Sequence, residues 1–303
     1  MFPLLGMYLR LSNRINIDIY KKVLKEFSDL WGVDLHIYGE DVFSYPELKV
    51  LLSYLNTFNL NTVSLNIEKQ HLTMDDIDIE LMEEGNVNAL LIPINKELLS
   101  NADYIRLIQN ITNSKTHLEV YSTVNNSNIN DIEQVVAYCL NNRIRQYIVD
   151  IEKKPLRPSD KIMGEDYKEL VKKIFNINGE NKSNLFKITI ADCPYLITLN
   201  NQKMKDMLGG CSGGITTCAI DENGNIIPCF PLAEIIIGNI ERDSLKQVWN
   251  GSKMLEKLRD RNNIKGNCSE CEYLISCGGC RAEAYFLNKD LFCEDPICWL
   301  RNK

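Results

Sequence analysis

From residue 1 to about residue 175, short apolar runs alternate with amphipathic stretches. The apolar runs Met7–Ser12, Val33–Tyr38, Thr62–Ile67, Ala89–Ile94, His117–Tyr121 and Gln146–Ile151 predict six strands. They are rich in Val, Ile and Leu, as strands covered on both faces are. Between them, Asp18–Trp31, Tyr45–Phe58, Thr73–Glu84, Ala102–Ile111 and Asn130–Asn141 predict helices, and Asp166–Phe175 follows the sixth strand. Leu48, Leu51, Leu52 and Leu55 recur at helical spacing and define a face for a core. Each strand-plus-helix unit is about 25–30 residues, the length that a right-handed parallel crossover needs. Six such units predict an α/β domain on a parallel sheet, open or curled into a partial barrel.

Two stretches break the rhythm. Glu152–Gly164 holds Pro155 and Pro158 and reads as a long loop. Asn176–Asn184 is polar, contains Gly179 and reads as turn. It divides an expected sheet domain, 1–180, from a small module, 181–303.

Composition is that of a soluble globular protein, 45% hydrophobic and 25% charged. A net charge of -7 without a long basic run argues against nucleic acid or an anionic membrane as a partner. No apolar run is long enough to span a bilayer. The opening MFPLLGMYLRLSNR lacks the charge and apolar pattern of a signal peptide. The expected location is cytoplasmic, where clustered cysteines serve as metal ligands more often than as disulfides.

Nine of the eleven cysteines fall in the last 93 residues: Cys211, Cys218, Cys229, Cys268, Cys271, Cys277, Cys280, Cys293 and Cys298. The tight core is Cys268-x2-Cys271-x5-Cys277-x2-Cys280. Thiolates three positions apart grip one metal centre from a turn, and a second pair completes a site. Ahead of it, Ala219–Pro228 reads as a hairpin with an Asn-Gly turn that would bring Cys218 and Cys229 together. A helix-like stretch, Ser244–Arg261, separates the two groups. The ligand type alone fits structural zinc as well as iron–sulfur.

This arrangement resembles the SPASM extension of radical SAM proteins. The family pattern is a Cys, a Gly-x4-Cys, a Cys-x2-Cys-x5-Cys-x2/3-Cys and a last Cys. Here Gly224 stands five residues before Cys229, CGGCRAEAY occupies 277–285, and EDPIC occupies 294–298. GNI at 238–240, SLKQVW at 244–249 and LRD at 258–260 also fit, and the text is most similar to heme-biosynthesis and peptide-modifying members. The resemblance covers 211–298 and implies two auxiliary 4Fe–4S clusters. By position, Cys211, Cys218, Cys229 and Cys280 would hold the first. Cys268, Cys271, Cys277 and Cys298 would hold the second. Cys293 has no counterpart, and the Cys277–Cys280 spacing is one residue shorter than in many members.

The resemblance reaches the N-terminus with one departure. Radical SAM proteins carry Cys-x3-Cys-x2-Cys after the first strand. The text LRLSNRINIDIYKK aligns those ligands with Ile15, Ile19 and Lys22, while Ser12, Asn13, Arg14, Asn16 and Asp18 still fit. No cysteine precedes Cys139. Isoleucine cannot ligate iron, and protonated lysine has no free lone pair. The expectation is a chain without SAM-cleaving chemistry, and SAM as a cofactor is not expected. Gly39 and Glu40 stand where the family has its Gly-Gly-Glu-Pro, as a residual SAM-site element or a plain turn. Asn66-Ile67-Glu68 replaces the usual TNG-like text.

Other chemistry is thin. His36, His71 and His117 show no paired metal spacing, and no phosphate-binding loop is present. Cys139 reads as a core thiol, and Cys193 is unassigned. The leading expectation is an auxiliary protein that binds an intact radical SAM subunit or a precursor peptide. An enzyme using an open auxiliary cluster or a residual SAM pocket, and a zinc-stapled interaction module, are the alternatives.

Overall fold

The computed structural model describes residues 2–70, 72–154, 157–180, 186–191 and 210–300. Seven strands run in chain order with helices between them: β1 (Gly6–Arg10), α1 (Ile17–Asp29), β2 (Asp34–Gly39), α2 (Leu48–Leu55), β3 (Thr62–Ile67), α3 (Ile79–Glu84), β4 (Ala89–Pro93), α4 (Ala102–Thr112), β5 (His117–Val124), α5 (Ile132–Asn141), β6 (Gln146–Ile151), α6 (Gly164–Glu180) and β7 (Lys187–Ile190). The C-terminal part adds β8 (Thr217–Ile220), β9 (Asn225–Ile227), β10 (Gly238–Asn239), α7 (Leu245–Gly251), α8 (Lys253–Arg259), α9 (Leu274–Cys277) and α10 (Arg281–Asn288).

The sheet order is β10-β9-β8-β1-β2-β3-β4-β5-β6-β7. Every pair from β1 to β7 is parallel and sequential. An order that never reverses places every crossover helix on one face, which curls the sheet towards a barrel. The edge strands do not pair with each other, so the barrel is partial. The helix-covered face forms the core: Met7, Leu9, Leu35, Ile37 and Leu65 are fully buried there. Alternation turns Tyr8, Arg10, His36, Tyr38, Ser64, Asn66, Glu119 and Tyr121 to the concave face.

Local chemistry explains the boundaries. The Asn16 side chain accepts from the Asp18 N–H at 2.8 Å and starts α1. Leu48, Leu51, Leu52 and Leu55 line the buried side of α2, as their spacing predicts. Three expectations need correction. Thr73–Glu84 is a 3-10 turn, Met74–Asp76, followed by α3, because Asp78 caps a new helix start by accepting from Leu81 N–H. Asn176–Glu180 is not turn but the last part of α6. Its Asn178 side chain donates to Ile188 O (2.8 Å) and accepts from Ile188 N–H (2.9 Å), tying the helix to β7. Ser244–Arg261 is two helices, since Ser252 leaves helical geometry and caps α8. His71, Pro155, Cys193 and residues 181–185 lie outside the described residues.

The C-terminal part is not a separate sheet. β8 adds to β1 in parallel, with Gly6 opposite Thr217 and Met7 opposite Cys218. The hairpin β8–β9 is antiparallel. Its turn is Asp221–Gly224: Asp221 accepts from the N–H groups of Asn223 and Asn225, and Gly224 takes φ +74°, open to glycine without strain. Among the described residues no helix is long and apolar enough to cross a membrane.

Candidate metal centre

None of the ten described cysteines is in a disulfide. Cys268 ends a 3-10 turn, Gly266–Cys268, and Cys271 follows with its N–H on Cys268 O at 3.3 Å. Short α9 then delivers Cys277, and the left-handed residues Gly278 (φ +70°) and Gly279 (φ +61°) reverse the chain to Cys280. Cys298 returns from the C-terminal segment. Cys268, Cys271, Cys277 and Cys298 are electrostatic neighbours: Cys298 and Cys268 act on Cys277, and Cys268 and Cys271 act on Cys298. Three of these sulfurs accept backbone N–H groups at 3.4 Å, Cys277 from Gly279, Cys268 from Asp295 and Cys298 from Leu300. Such bonds favour a thiolate over a thiol.

The other set is looser. Cys229 and Cys280 share an apolar cluster with Leu232, Ala282 and Leu291. Cys211 donates its N–H to Cys277 O at 3.1 Å, which joins the two sets. Cys218 is fully buried on the helix-covered face of β8, within the main core. Cys293 stands off, its thiol near Asp290. Among the described residues no three Cys, His, Asp or Glu side chains are grouped to hold a single metal ion. Four ligands of a cubane cluster sit on four different irons, so their sulfurs stand farther apart than four around one zinc.

Burial pushes the Cys218, Cys277 and Cys298 thiols up to about 12. At neutral pH these groups hold their protons until a metal displaces them. The surroundings fit an anionic metal–thiolate group: Arg261 and Arg281 are buried beside the thiols, with guanidinium N–H groups that find no acceptor. The spacing of the cysteines gives no hint of these two arginines. The only signal is the Arg in CGGCR, and a single sequence does not separate a buried arginine from a solvated one.

At the C-terminal end of the barrel, Ile15 is buried against Gly224 of the hairpin turn, where an added Cβ would meet Ile15 Cδ1 at 3.3 Å. Ile19 packs on the core and Lys22 is exposed. Arg10 Nη2 donates to both carboxylate oxygens of Glu68 (2.6 and 2.5 Å). Burial nonetheless raises the Glu68 pKa, outweighing the Arg10 guanidinium, and Glu40 adds to the rise. Phe230 covers the pair: Arg10 lies 5.0 Å over its ring, and Tyr38 stacks on it at 5.3 Å. Gly39 ends β2 opposite Ile67, and Glu40 is exposed at the rim. His36 is stacked on Tyr8 and bonded to Ser64 Oγ at 2.8 Å, with burial lowering its pKa. His117 is exposed, and Cys139 is a fully buried core thiol.

Residues 211–272 match the family model of SPASM, an iron–sulfur cluster-binding domain. The chain carries a SPASM domain. Its N-terminal elements share the fold of radical SAM proteins. SuiB of Streptococcus suis bound to S-adenosylmethionine superimposes with a TM-score of 0.76 at 16% identity, over 98% of this chain and 77% of that one. SuiB bound to its precursor peptide SuiA gives 0.73 at 17% identity, over 97% and 75%. By sequence, the chain is 31% identical over 157 residues to the AdoMet-dependent heme synthase of Methanosarcina barkeri, covering 47% of this chain and 44% of that protein. It is 34% identical over 97 residues to the PqqA peptide cyclase of Methylocella silvestris, covering 30% and 26%. The matched stretch spans less than half of each curated relative.

Proposed function

We propose that this chain is an auxiliary member of the radical SAM/SPASM group in peptide modification, binding a partner without cleaving SAM itself. The partner is the precursor peptide or an intact radical SAM subunit, in the cytoplasm. Residues 1–180, with β7 at the edge of their sheet, act as a degenerate barrel, and the rest of 181–303 as the cluster-bearing module. Cys211, Cys218, Cys229 and Cys280 would hold one 4Fe–4S cluster, and Cys268, Cys271, Cys277 and Cys298 the other. When bound, such clusters supply one-electron redox chemistry or staple the fold. The chain's own thiols release their protons to do so, and its backbone N–H groups orient the sulfurs.

One observation carries the reading. The β1–α1 loop and the start of α1, where three thiolates would be needed, have Ile15 buried under the SPASM hairpin, Ile19 packed on the core and Lys22 in solvent. The Arg10–Glu68 pair and Phe230 fill the adjoining mouth. A peptide cargo is supported by two proteins similar to this one, a PqqA peptide cyclase and a SuiB solved with its precursor peptide.

Anaerobic purification with iron, sulfide and zinc analysis tests the metal centre, and about eight irons per chain are expected. Stoichiometric zinc with little iron would favour the zinc-stapled module instead. Incubation with SAM and a strong reductant should yield no 5′-deoxyadenosine. Robust formation by the chain alone would overturn the auxiliary reading.

A further inference from the structure

Two cations are buried in the SPASM domain without enough acceptors. Arg261 is 8% exposed and Arg281 is 2% exposed. Arg261 Nη2 donates to Cys211 O at 2.9 Å, but its Nη1 has no partner. Arg281 Nη1 donates to Leu291 O (2.9 Å) and Cys293 O (2.7 Å), but its Nε and Nη2 have none. A buried donor left unsatisfied costs about 1–3 kcal/mol, and more when charged. The two guanidinium groups also repel, each being close enough to act on the other.

The nearby carboxylates hold other donors as well, Asp295 lying next to Arg281 at Gly279. Asp295 accepts the N–H groups of Cys280 and Ile297 on its two oxygens. Glu283 is held by Lys161 at 2.7 Å. Sulfur acts on both arginines. Cys211 and Cys277 act on Arg261, and Arg281 acts on Cys268 and Cys293. The backbone makes room for them: a Cβ at Gly278 would lie 1.9 Å from Arg261 Nη1, and one at Gly279 would lie 2.6 Å from Arg281 Nη2.

We infer that Arg261 and Arg281 are the counter-charges of the metal–thiolate centres, positioning residues whose free N–H groups donate to cluster sulfur and raise its reduction potential. This rests on the iron–sulfur reading of the SPASM domain. A four-thiolate cluster is anionic and gains a further negative charge on reduction. A buried guanidinium therefore favours the reduced state.

The test uses the full chain, anaerobically purified, with Arg261→Met, Arg281→Met and the corresponding Lys variants. Iron and sulfide per chain are measured first, then the midpoint potentials by EPR-monitored titration. The Met variants should keep their iron and show, at a fixed potential, about a tenfold lower ratio of reduced to oxidised cluster, a shift of ~59 mV to more negative values for one electron. The Lys variants, which keep the charge, should recover most of the shift. Intact iron with unmoved potentials in both Met variants would overturn the inference. Loss of iron from a Met variant but not from its Lys counterpart supports it, because charge then decides retention. Loss from both overturns it. Failure of the underlying reading is seen separately, in an unmodified chain that holds no iron.

Discussion

Gly278 is where backbone conformation and charge burial meet. Its φ of +70° costs any other residue about 1–2 kcal/mol, and its missing Cβ leaves the space that the Arg261 guanidinium occupies. Gly278→Ala should therefore destabilise the metal-loaded protein by about 2–4 kcal/mol, strain and overpacking together. Denaturant unfolding monitored on the cluster absorption measures it. A cost within the ~0.5 kcal/mol of an ordinary surface change would show that the guanidinium is not fixed there. The β1–α1 loop with the start of α1 makes the opposite prediction, of gain. Cysteines at Ile15, Ile19 and Lys22 together should raise iron by up to about four per chain. Ile15→Cys opens a void beneath Gly224, so some stability is lost. Unchanged iron would mean that this segment no longer presents the three positions to one centre. The thiols were legible in the sequence because spacing alone marks them. Cys298 rather than Cys293 as the neighbour of Cys268 and Cys277 was readable only through family text. Arg261 and Arg281 were not readable, since burial of a charge depends on groups distant in the chain.

The elements follow the periodicity where the buried face is continuous, as in α2 and α4, and depart from it where a side chain caps. Ser252 divides α7 from α8, and Asn178 keeps α6 helical past the polar text that suggests a turn. Neither effect is visible to a pattern of apolar positions, because one polar side chain bonding the backbone decides each. A second polar contact joins elements far apart in sequence. Lys161, after β6, pairs with Glu283 of α10 at 2.7 Å, with the side chains 5% and 2% exposed. Lys161 also donates to Glu152 O and Lys153 O. Removing one partner of such a pair costs about 3–5 kcal/mol, since a buried charge is left alone. Lys161→Met should show that loss in thermal unfolding at neutral pH. Burial already holds the Glu283 pKa above the ordinary carboxylate range, although Lys161 opposes the rise. Without Lys161 the pKa rises further, so the folded state of the variant is favoured by protonation. Its deficit is full above that pKa and shrinks as pH falls through it. A deficit that stays constant with pH would mean that Glu283 finds another cation in the variant.

At the scale of the whole molecule, the six repeated units made the parallel barrel legible, because each buries its own strand and helix. The continuity of the sheet into the cysteine-rich part was not, since β8 is short and its partner β1 lies more than 200 residues away. Other bonds reinforce that join. Glu26 of α1 accepts from Ser244 Oγ (2.9 Å) and Lys246 N–H (3.1 Å), and Trp249 donates to Phe2 O at 2.9 Å. Arg259 lies over both the Phe2 and Trp249 rings. Metal binding is coupled to the folding of the segments that supply the ligands. Cys218 sits within β8, so loss of metal should reach the barrel through β1 and fade with distance along the sheet. Hydrogen exchange with and without an iron chelator measures this. Amides of Thr217–Ile220 and their partners in Gly6–Arg10 should lose protection first, while those of β4, β5 and β6 retain it. Uniform loss across all strands would mean one cooperative unit. Loss confined to residues beyond 210, with β1 unchanged, would show that the parallel pairing of β1 with β8 transmits nothing and that the barrel stands without the metal centre.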